Sequence, residues 1–269
     1  DSGEKVFWKN GDITFCPNLE LPMHYPKNPK LVSDINSIDP DSIPEDVVNI
    51  PVSQGLYFDL SYGNLVSILN DAFTKTGGQV SIHGEITSPF DYFLDLVGHE
   101  SSLMALIDEP DKCKAILQRY TDAIKKLALV MCGQNIDAIK ISSPYAGAGF
   151  LSPKFYEEFV LPYETQIAKA IREKGKHVYI HTCGSIGDRL ELIAESYTSG
   201  LECLDPPPIG DCDLADAKQR LGKRCFIKGN IDSVNTLLKK SISEIKADAK
   251  QRLEIGMPGS GFILSTACS

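Results

Sequence analysis

Residues 177–185 read HVYIHTCGS, an apolar run that leads directly into a His-x-Cys-Gly. A short apolar run that ends at a glycine is typical of a buried strand. Five other segments along the chain have the same character and begin near residues 79, 137, 201, 225 and 261. They read QVSIHGEI, IDAIKISS, LECLDPP, CFIKGNID and GFILSTAC. The sequence therefore predicts six strands.

Helical segments fill the intervals between these strands. Ser152 followed by Pro153 is a typical N-cap and first-turn pair, and Pro162 must kink or split the helix that they begin. Ser241 and Glu244 have the spacing of a capping box ahead of another helix. Because strands and helices alternate, we expect a parallel sheet covered by helices.

Two α/β architectures fit this alternation, an open doubly wound sheet and a closed (β/α)8 TIM barrel. No glycine-rich phosphate-binding fingerprint follows the early strands, so the barrel is favoured. Only six of its eight strands are visible. Either the N-terminal segment supplies the other two, or they precede Asp1; we expect the second, because the chain does not begin with Met.

The first 55 residues have a different pattern from the rest. KVFWKNGDITF is centred on Asn10-Gly11, which is a strong signal for a β-hairpin, and a proline-rich polar stretch follows it. We therefore expect residues 1–55 to form a hairpin and an irregular segment that packs on the barrel. The barrel domain is expected to comprise residues 56–269.

The composition excludes several classes of protein. The net charge of -9 would repel nucleic acid phosphates, and no run approaches the roughly 20 apolar residues that span a bilayer. The N-terminus lacks the basic and apolar regions of a secretory leader, and the eight cysteines are scattered. We therefore expect a cytoplasmic protein with reduced thiols that acts on small molecules.

Polar residues at the carboxyl ends of the strands are the candidates for chemistry, because that end of a parallel barrel forms the active site. His181 and Cys183 are two apart and share a face, so both can point to one ion, and Cys268 closes the last strand. One imidazole and two thiolates are an ordinary catalytic zinc set. The alternative is a histidine and a thiol buried in the core, but Gly184 and the strand-end position favour a metal site at His181, Cys183 and Cys268.

Several segments resemble the uroporphyrinogen decarboxylase superfamily, and within it the zinc methyltransferases that take a methyl group from a corrinoid protein. They are SPFDYFLDLVG, FLSPKFYEEFVLPY, HTCG, FIKGNID and GFILSTACS, spread over residues 79–269. The resemblance implies a (β/α)8 barrel whose zinc is held by His181, Cys183 and Cys268. It also implies a corrinoid-binding protein as partner and a small thiol or other methyl carrier as methyl acceptor or donor, with the direction of transfer open.

Two alternative functions remain at this stage. Uroporphyrinogen decarboxylase itself needs no metal, so a His-x-Cys with a distant Cys would be idle there. A non-catalytic subunit that binds a corrinoid protein would keep the fold without turnover. Metal content distinguishes the first alternative from the methyltransferase, and methyl transfer distinguishes the second.

Further site residues are predicted from their positions at strand ends. Glu85, at the end of the first predicted strand, is expected to be a catalytic residue and a fourth zinc ligand that substrate displaces. Asp205 is expected either to accept a hydrogen bond from His181 or to begin a turn. The residues expected to contact substrate are His83, Ser143, Tyr145, Asp205 and Asn230; for His83, a core role is equally open.

Overall fold

The N-terminal part of the chain contains the predicted hairpin. The structure is a computed structural model that describes residues 3–17, 23–25, 27, 34–47, 49–50, 58–59 and 62–267. Strands β1 (Gly3–Phe7) and β2 (Ile13–Pro17) pair antiparallel across the Asn10–Gly11 turn, and β3 (Met23–Tyr25) pairs with β2. Two short strands, β4 (Asn49–Ile50) and β5 (Phe58–Asp59), form a separate antiparallel pair. The boundary expected between residues 55 and 56 stays a prediction.

A parallel sheet of six strands forms the centre of the described structure, as the sequence predicts. Its strands are β6 (His83–Thr87), β7 (Ala138–Ser142), β8 (His177–Thr182), β9 (Gly200–Cys203), β10 (Phe226–Ile231) and β11 (Phe262–Thr266). They lie in the order β11-β10-β9-β8-β7-β6, so neighbours in the chain are neighbours in the sheet. Within the residues described, β6 and β11 are the two outermost strands of this sheet.

Nine α-helices accompany the strands within the described residues. They are α1 (Tyr62–Thr76), α2 (Pro89–Val97), α3 (His99–Asp108), α4 (Pro110–Cys132), α5 (Pro153–Phe159), α6 (Leu161–Glu173), α7 (Leu190–Ala194), α8 (Leu214–Leu221) and α9 (Ile242–Gly256). Short 3-10 turns occupy Ile35–Ser37 and Pro40–Ser42, and a π-helical turn occupies Ser233–Leu238. Among these helices, none combines the length and the hydropathy that crossing a membrane requires.

The helix ends follow the local sequence signals. The side chain of Ser152 accepts a hydrogen bond from the backbone of α5, and Ser241 and Glu244 form a complete capping box at α9. Pro162 splits its segment as predicted: α5 ends before Val160, whose φ of -122° interrupts the helix, and α6 begins at the next residue.

The two faces of the central sheet differ in chemistry. One face is apolar and fully buried against the helices, with Ile139, Ile180 and Leu201 no more than 1% exposed. The opposite face carries charged and aromatic side chains in two rows. Glu85, Lys140 and Tyr179 are aligned across β6, β7 and β8, and Glu202 and Lys228 are aligned across β9 and β10, two residues nearer the carboxyl ends. Glu202 is buried, and because a buried charge is costly to keep and needs partners, this face is a candidate functional surface.

Candidate metal centre

His181 and Cys183 meet at the carboxyl end of β8. His181 lies one residue before the end of the strand and is buried, and the chain turns at Gly184, where φ is +74°. The Nε2 of His181 and the Sγ of Cys183 are 3.2 Å apart. The structure therefore brings together the two residues of the predicted His-x-Cys pair; their role as metal ligands stays a prediction.

Glu202 fixes the orientation of the His181 ring. The register of β8 and β9 places the two residues opposite each other, and the Oε2 of Glu202 lies 3.0 Å from the Nδ1 of His181. Burial alone would raise the pKa of Glu202, but hydrogen bonds from His181 and Lys228 and the charge of Lys140 lower it to about 2. With Nδ1–H donating to this carboxylate, Nε2 keeps a lone pair for a metal ion.

Of the roles expected for Asp205, that of accepting this hydrogen bond was wrong, since Glu202 does so. Its contact with substrate stays a prediction. Asp205 lies beyond the end of β9, where the chain has already bent away, and its Oδ2 accepts from the backbone N–H of Gly184 at 2.7 Å. The same oxygen accepts from the Sγ of Cys203 at 3.1 Å. Asp205 therefore ties the end of β8 to the end of β9.

Cys203 is a third donor at this point, and the sequence analysis assigned it no role. The ligand atoms of His181, Cys183 and Cys203 all lie within 4.8 Å of one another, and within the described residues they are the one such group of three. Cys203 is fully buried at the end of β9. Its φ of +89° and the φ of +53° at Leu204 are unusual for residues with side chains, and such backbone often marks functional sites.

Two glycines allow the backbone to approach this cluster closely. A Cβ at Gly147 would lie 2.5 Å from the carbonyl oxygen of Cys183, and a Cβ at Gly229 would lie 2.6 Å from the carbonyl oxygen of Cys203. Both contacts are too short for a side chain. The site is therefore enclosed by main chain on these two sides.

Cys268, the third predicted zinc ligand, lies outside the described residues. The last described hydrogen bond before it joins the N–H of Ala267 to the carbonyl of Ile231, at the carboxyl end of β10. The membership of Cys268 in the metal site stays a prediction.

The prediction that His83 and Glu85 lie at the carboxyl end of a strand was wrong. Strand β6 begins at His83 and ends at Thr87, and it is Thr87 that reaches the level of His181. His83 is four residues lower, about 13 Å along the strand. The side chain of Glu85 is 53% exposed and pairs with Lys140 at 2.9 Å. The apolar segment begins at Gln79, but the strand begins four residues later, so its carboxyl end lies beyond Glu85.

Ser143 and Tyr145 lie beside the His181–Cys183 pair, on the loop after β7. The backbone N–H of Ser143 donates to the carbonyl of His181 at 2.8 Å, and the residue is fully buried. Burial raises the pKa of Tyr145, and the charges of Asp91 and Cys183 raise it further. Both residues therefore lie close to the His181–Cys183 pair, and their contact with substrate stays a prediction.

Asn230 is fully buried near the same edge of the sheet, with its side-chain amide engaged by protein groups. Its Nδ2 donates to the carbonyl of Leu204 at 3.0 Å, and its Oδ1 accepts from Arg252. These bonds hold the bend after β9. Its predicted role in substrate binding is untested, and its observed role is structural.

Two buried acids near the site were missed by the sequence analysis. Burial raises the pKa of Asp91, in the first turn of α2, to about 8, and the hydroxyl of Ser88 donates to its Oδ2 at 2.5 Å. Burial likewise raises the pKa of Glu164 to about 7, against the opposing effect of the Tyr156 hydroxyl, which donates at 3.0 Å. The Ser-x-x-Asp spacing indicates a helix start, but nothing local distinguishes a buried acid from a solvated one.

The donor atoms present suit zinc. An imidazole nitrogen and thiolate sulfurs are the ligands that zinc prefers, whereas magnesium and calcium prefer oxygen. Zinc would separate its nitrogen and sulfur ligands by about 3.5 to 3.8 Å, which is close to the 3.2 Å found between His181 and Cys183. The residues therefore fit the metal that the family resemblance implies.

The sequence is similar to proteins of one family, which includes methyltransferases and decarboxylases. The model of the family "Uroporphyrinogen decarboxylase (URO-D)" matches residues 42–269. The chain is 30% identical over 192 residues to the methylcobamide:CoM methyltransferase MtaA of Methanosarcina barkeri, covering 70% of this chain and 55% of that protein. It is 26% identical over 174 residues to the uroporphyrinogen decarboxylase of Crocosphaera subtropica, covering 62% of this chain and 47% of that protein.

A solved structure shares the fold. It is a methyltransferase from Methanosarcina mazei that superposes with a TM-score of 0.73 at 22% identity, over 99% of this chain and 69% of that one. The chain spans about half the length of the curated relatives that it matches.

Proposed function

The chain belongs to the uroporphyrinogen decarboxylase family, and on that premise we propose that it is a zinc-dependent methyltransferase. It moves a methyl group between a corrinoid-binding protein and a small thiol or other methyl carrier. The observation that carries this proposal is the pairing of His181 and Cys183, 3.2 Å apart at the carboxyl end of a central strand. The similarity to methylcobamide:CoM methyltransferases supports methyl transfer as the reaction at this pair.

His181 and Cys183 would hold the zinc ion, together with Cys268 of the predicted set. Zinc bound by such ligands supplies a position at which a substrate thiol is kept as its thiolate near neutral pH. The thiolate is the form of a thiol that reacts as a nucleophile toward a methyl group.

Glu202 prepares His181 for this task. It holds the proton of the imidazole on Nδ1 and directs Nε2 toward Cys183. Lys228 and Lys140 hold the Glu202 carboxylate in its ionised form. A ligand that is oriented in advance loses less free energy when it binds a metal.

The proposal includes a closed (β/α)8 barrel, of which the six-stranded sheet is a part. In such a barrel the charged face of the sheet lines the interior, and the carboxyl ends of the strands form the mouth. Support comes from the parallel order of the strands and from the shared fold of the Methanosarcina mazei methyltransferase.

Uroporphyrinogen decarboxylase activity is the second candidate, and the similarity to the Crocosphaera subtropica enzyme favours it. The family model alone does not separate the two reactions. The sulfur and nitrogen donors favour the methyltransferase, because decarboxylation in this family, as the sequence resemblance implies, needs no metal.

Metal analysis and two activity assays test the proposal. We expect the purified protein to contain about one zinc ion per chain and to transfer methyl groups from methylcobalamin to 2-mercaptoethanesulfonate. Uroporphyrinogen III is incubated with the same protein in parallel. Cys183→Ala should lose zinc and methyl transfer. Cys225→Ala, which removes a buried thiol at the amino end of β10, should keep both.

Absence of zinc from the wild-type protein, together with decarboxylation of uroporphyrinogen, would overturn the methyltransferase proposal. So would stoichiometric zinc in the Cys183→Ala protein, because the metal would then be bound elsewhere.

A further inference from the structure

We propose that Cys203 is a protein ligand of the same metal ion as His181 and Cys183. The inference rests on the proposed function for the presence of the metal. It adds a residue of the neighbouring strand β9 to the predicted set as a fourth ligand, whose position a substrate thiol takes when it binds. It rests on the geometry of three side chains and on the backbone that holds them.

The first support is distance. The imidazole nitrogen and the two sulfurs all lie within 4.8 Å of one another without any ion between them. Ligands of one zinc ion lie about 3.5 to 3.8 Å apart, so a small rotation of the side chains completes the geometry. Glu85, the residue predicted to fill a further coordination position, is turned instead toward Lys140.

The second support is the backbone at the end of β9. Side chains alternate along a strand, and Thr182 and Cys203 are opposite each other in the register of β8 and β9. On regular strands Cys203 would therefore share the face of Thr182 and not that of His181. The φ of +89° at Cys203 breaks the alternation and lets its sulfur approach His181 and Cys183.

The third support is that neighbouring groups maintain this conformation. Gly229 leaves room for the displaced carbonyl of Cys203, where a Cβ would come within 2.6 Å. Asp205 accepts from the N–H of Gly184 and from the S–H of Cys203, so one carboxylate fixes the turn after Cys183 and positions the thiol. The S–H bond is given up when the sulfur binds a metal as its thiolate. Left-handed backbone at a residue with a side chain is costly and persists only where its surroundings impose it.

Cobalt(II) substitution of the whole protein tests the inference, because thiolate ligands give cobalt a near-ultraviolet charge-transfer band whose intensity follows their number. We expect Cys203→Ser to lose one thiolate's share of this band and to bind cobalt and zinc more than about 100-fold more weakly, which exceeds the cost of removing an outer hydrogen-bond partner. Cys225→Ser should match the wild-type protein in both measurements.

A second measurement uses the wild-type protein and does not depend on the folding of a variant. In the cadmium-113 form, a cadmium–proton correlation to the β-protons of Cys203 would identify it as a ligand directly. An unchanged charge-transfer band in Cys203→Ser, or cadmium correlations to Cys183 without Cys203, would overturn the inference and leave the proposed function standing. Wild-type protein that binds no metal would overturn both.

Discussion

The amino ends of the parallel strands form one edge of the sheet, the amino edge, and their carboxyl ends form the opposite one, the carboxyl edge. Each carries a histidine on the same face, and the two histidines differ in what surrounds them. At the amino edge, His83 bonds to Ser81 and to the hydroxyl of Tyr179, and it is exposed. At the carboxyl edge, His181 is buried between a carboxylate and a sulfur. Of these two histidines, only His181 has a carboxylate that fixes its tautomer and a sulfur atom close enough to bind the same metal ion. The comparison shows that the environment of a histidine, and not its presence on a strand, makes it a candidate ligand.

The largest expected difference between the edges is in metal binding. His181→Ala should abolish bound zinc and methyl transfer, because it removes a ligand that no neighbouring imidazole replaces. His83→Gln should leave the zinc content unchanged. Elemental analysis and the methylcobalamin assay on both variants measure this. Equal loss of zinc from the two proteins would break the comparison.

The next effect is on the pH dependence of stability. Asp91, near the carboxyl edge, holds its proton in the folded protein up to a pH of about 8, whereas the ordinary pKa of an aspartate is 3.8. Between these values the folded state binds more protons than the unfolded state, so the free energy of unfolding falls as the pH rises. The fall is at most about 1.4 kcal/mol per pH unit for this group.

Asp91→Asn should make this slope shallower between about pH 5 and pH 8, as measured by urea unfolding at several pH values. Glu164, whose pKa is also raised to about 7, should keep a slope of the same sign below about pH 7 in this variant. Glu195→Gln, which changes an exposed carboxylate, should keep the wild-type slope. A slope in Asp91→Asn that equals that of the wild-type protein between about pH 7 and pH 8 would show that the aspartate is already ionised there in the folded protein.

A smaller effect separates two glutamates of the charged face. Glu202→Gln should weaken zinc binding by about 10- to 100-fold, because the amide cannot replace the carboxylate that orients His181. Glu85→Gln, which alters a half-exposed ion pair with Lys140, should change zinc affinity by less than about threefold. Competition with a chelator measures both. Equal affinities would mean that orientation of the ring contributes little.

The smallest effect is expected at the amino edge itself. His83→Gln removes an exposed ring that bonds to Ser81 and Tyr179, and the free energy of unfolding should change by no more than about 0.5 kcal/mol. Thermal unfolding of this variant beside His181→Ala measures the difference. A large destabilisation by His83→Gln would show that the hydrogen bonds of this exposed histidine contribute more to stability than we expect.

The sequence predicted the six strands, the split at Pro162 and the cap at Ser241 because these features depend on local patterns. The meeting of His181 with Cys183 was also predictable, since residues two apart on a strand share a face. The partner of His181 was not. Glu202 is 21 residues away and is placed by the register of two strands, which the sequence does not state.

Other errors have a similar origin. An apolar run shows that a strand exists but not where it ends. The predicted strand began a few residues too early, so its carboxyl end was expected near His83 and Glu85, whereas the strand ends at Thr87. Cys203 was overlooked because ordinary alternation gave no reason to place its sulfur with His181. Its conformation depends on contacts with Gly229 and Asp205, and no local pattern in the sequence predicts it.

The register of β8 and β9 also limits how this region can change in length. His181 faces Glu202 because the two strands are aligned residue for residue. A deletion of one residue inside β9, before Glu202, would bring Cys203 opposite the imidazole, and an insertion there would bring Leu201; either change sends the carboxylate to the other side of the sheet. The loop before β9 can therefore vary in length, whereas the length of β9 itself is fixed unless a compensating bulge restores the alignment.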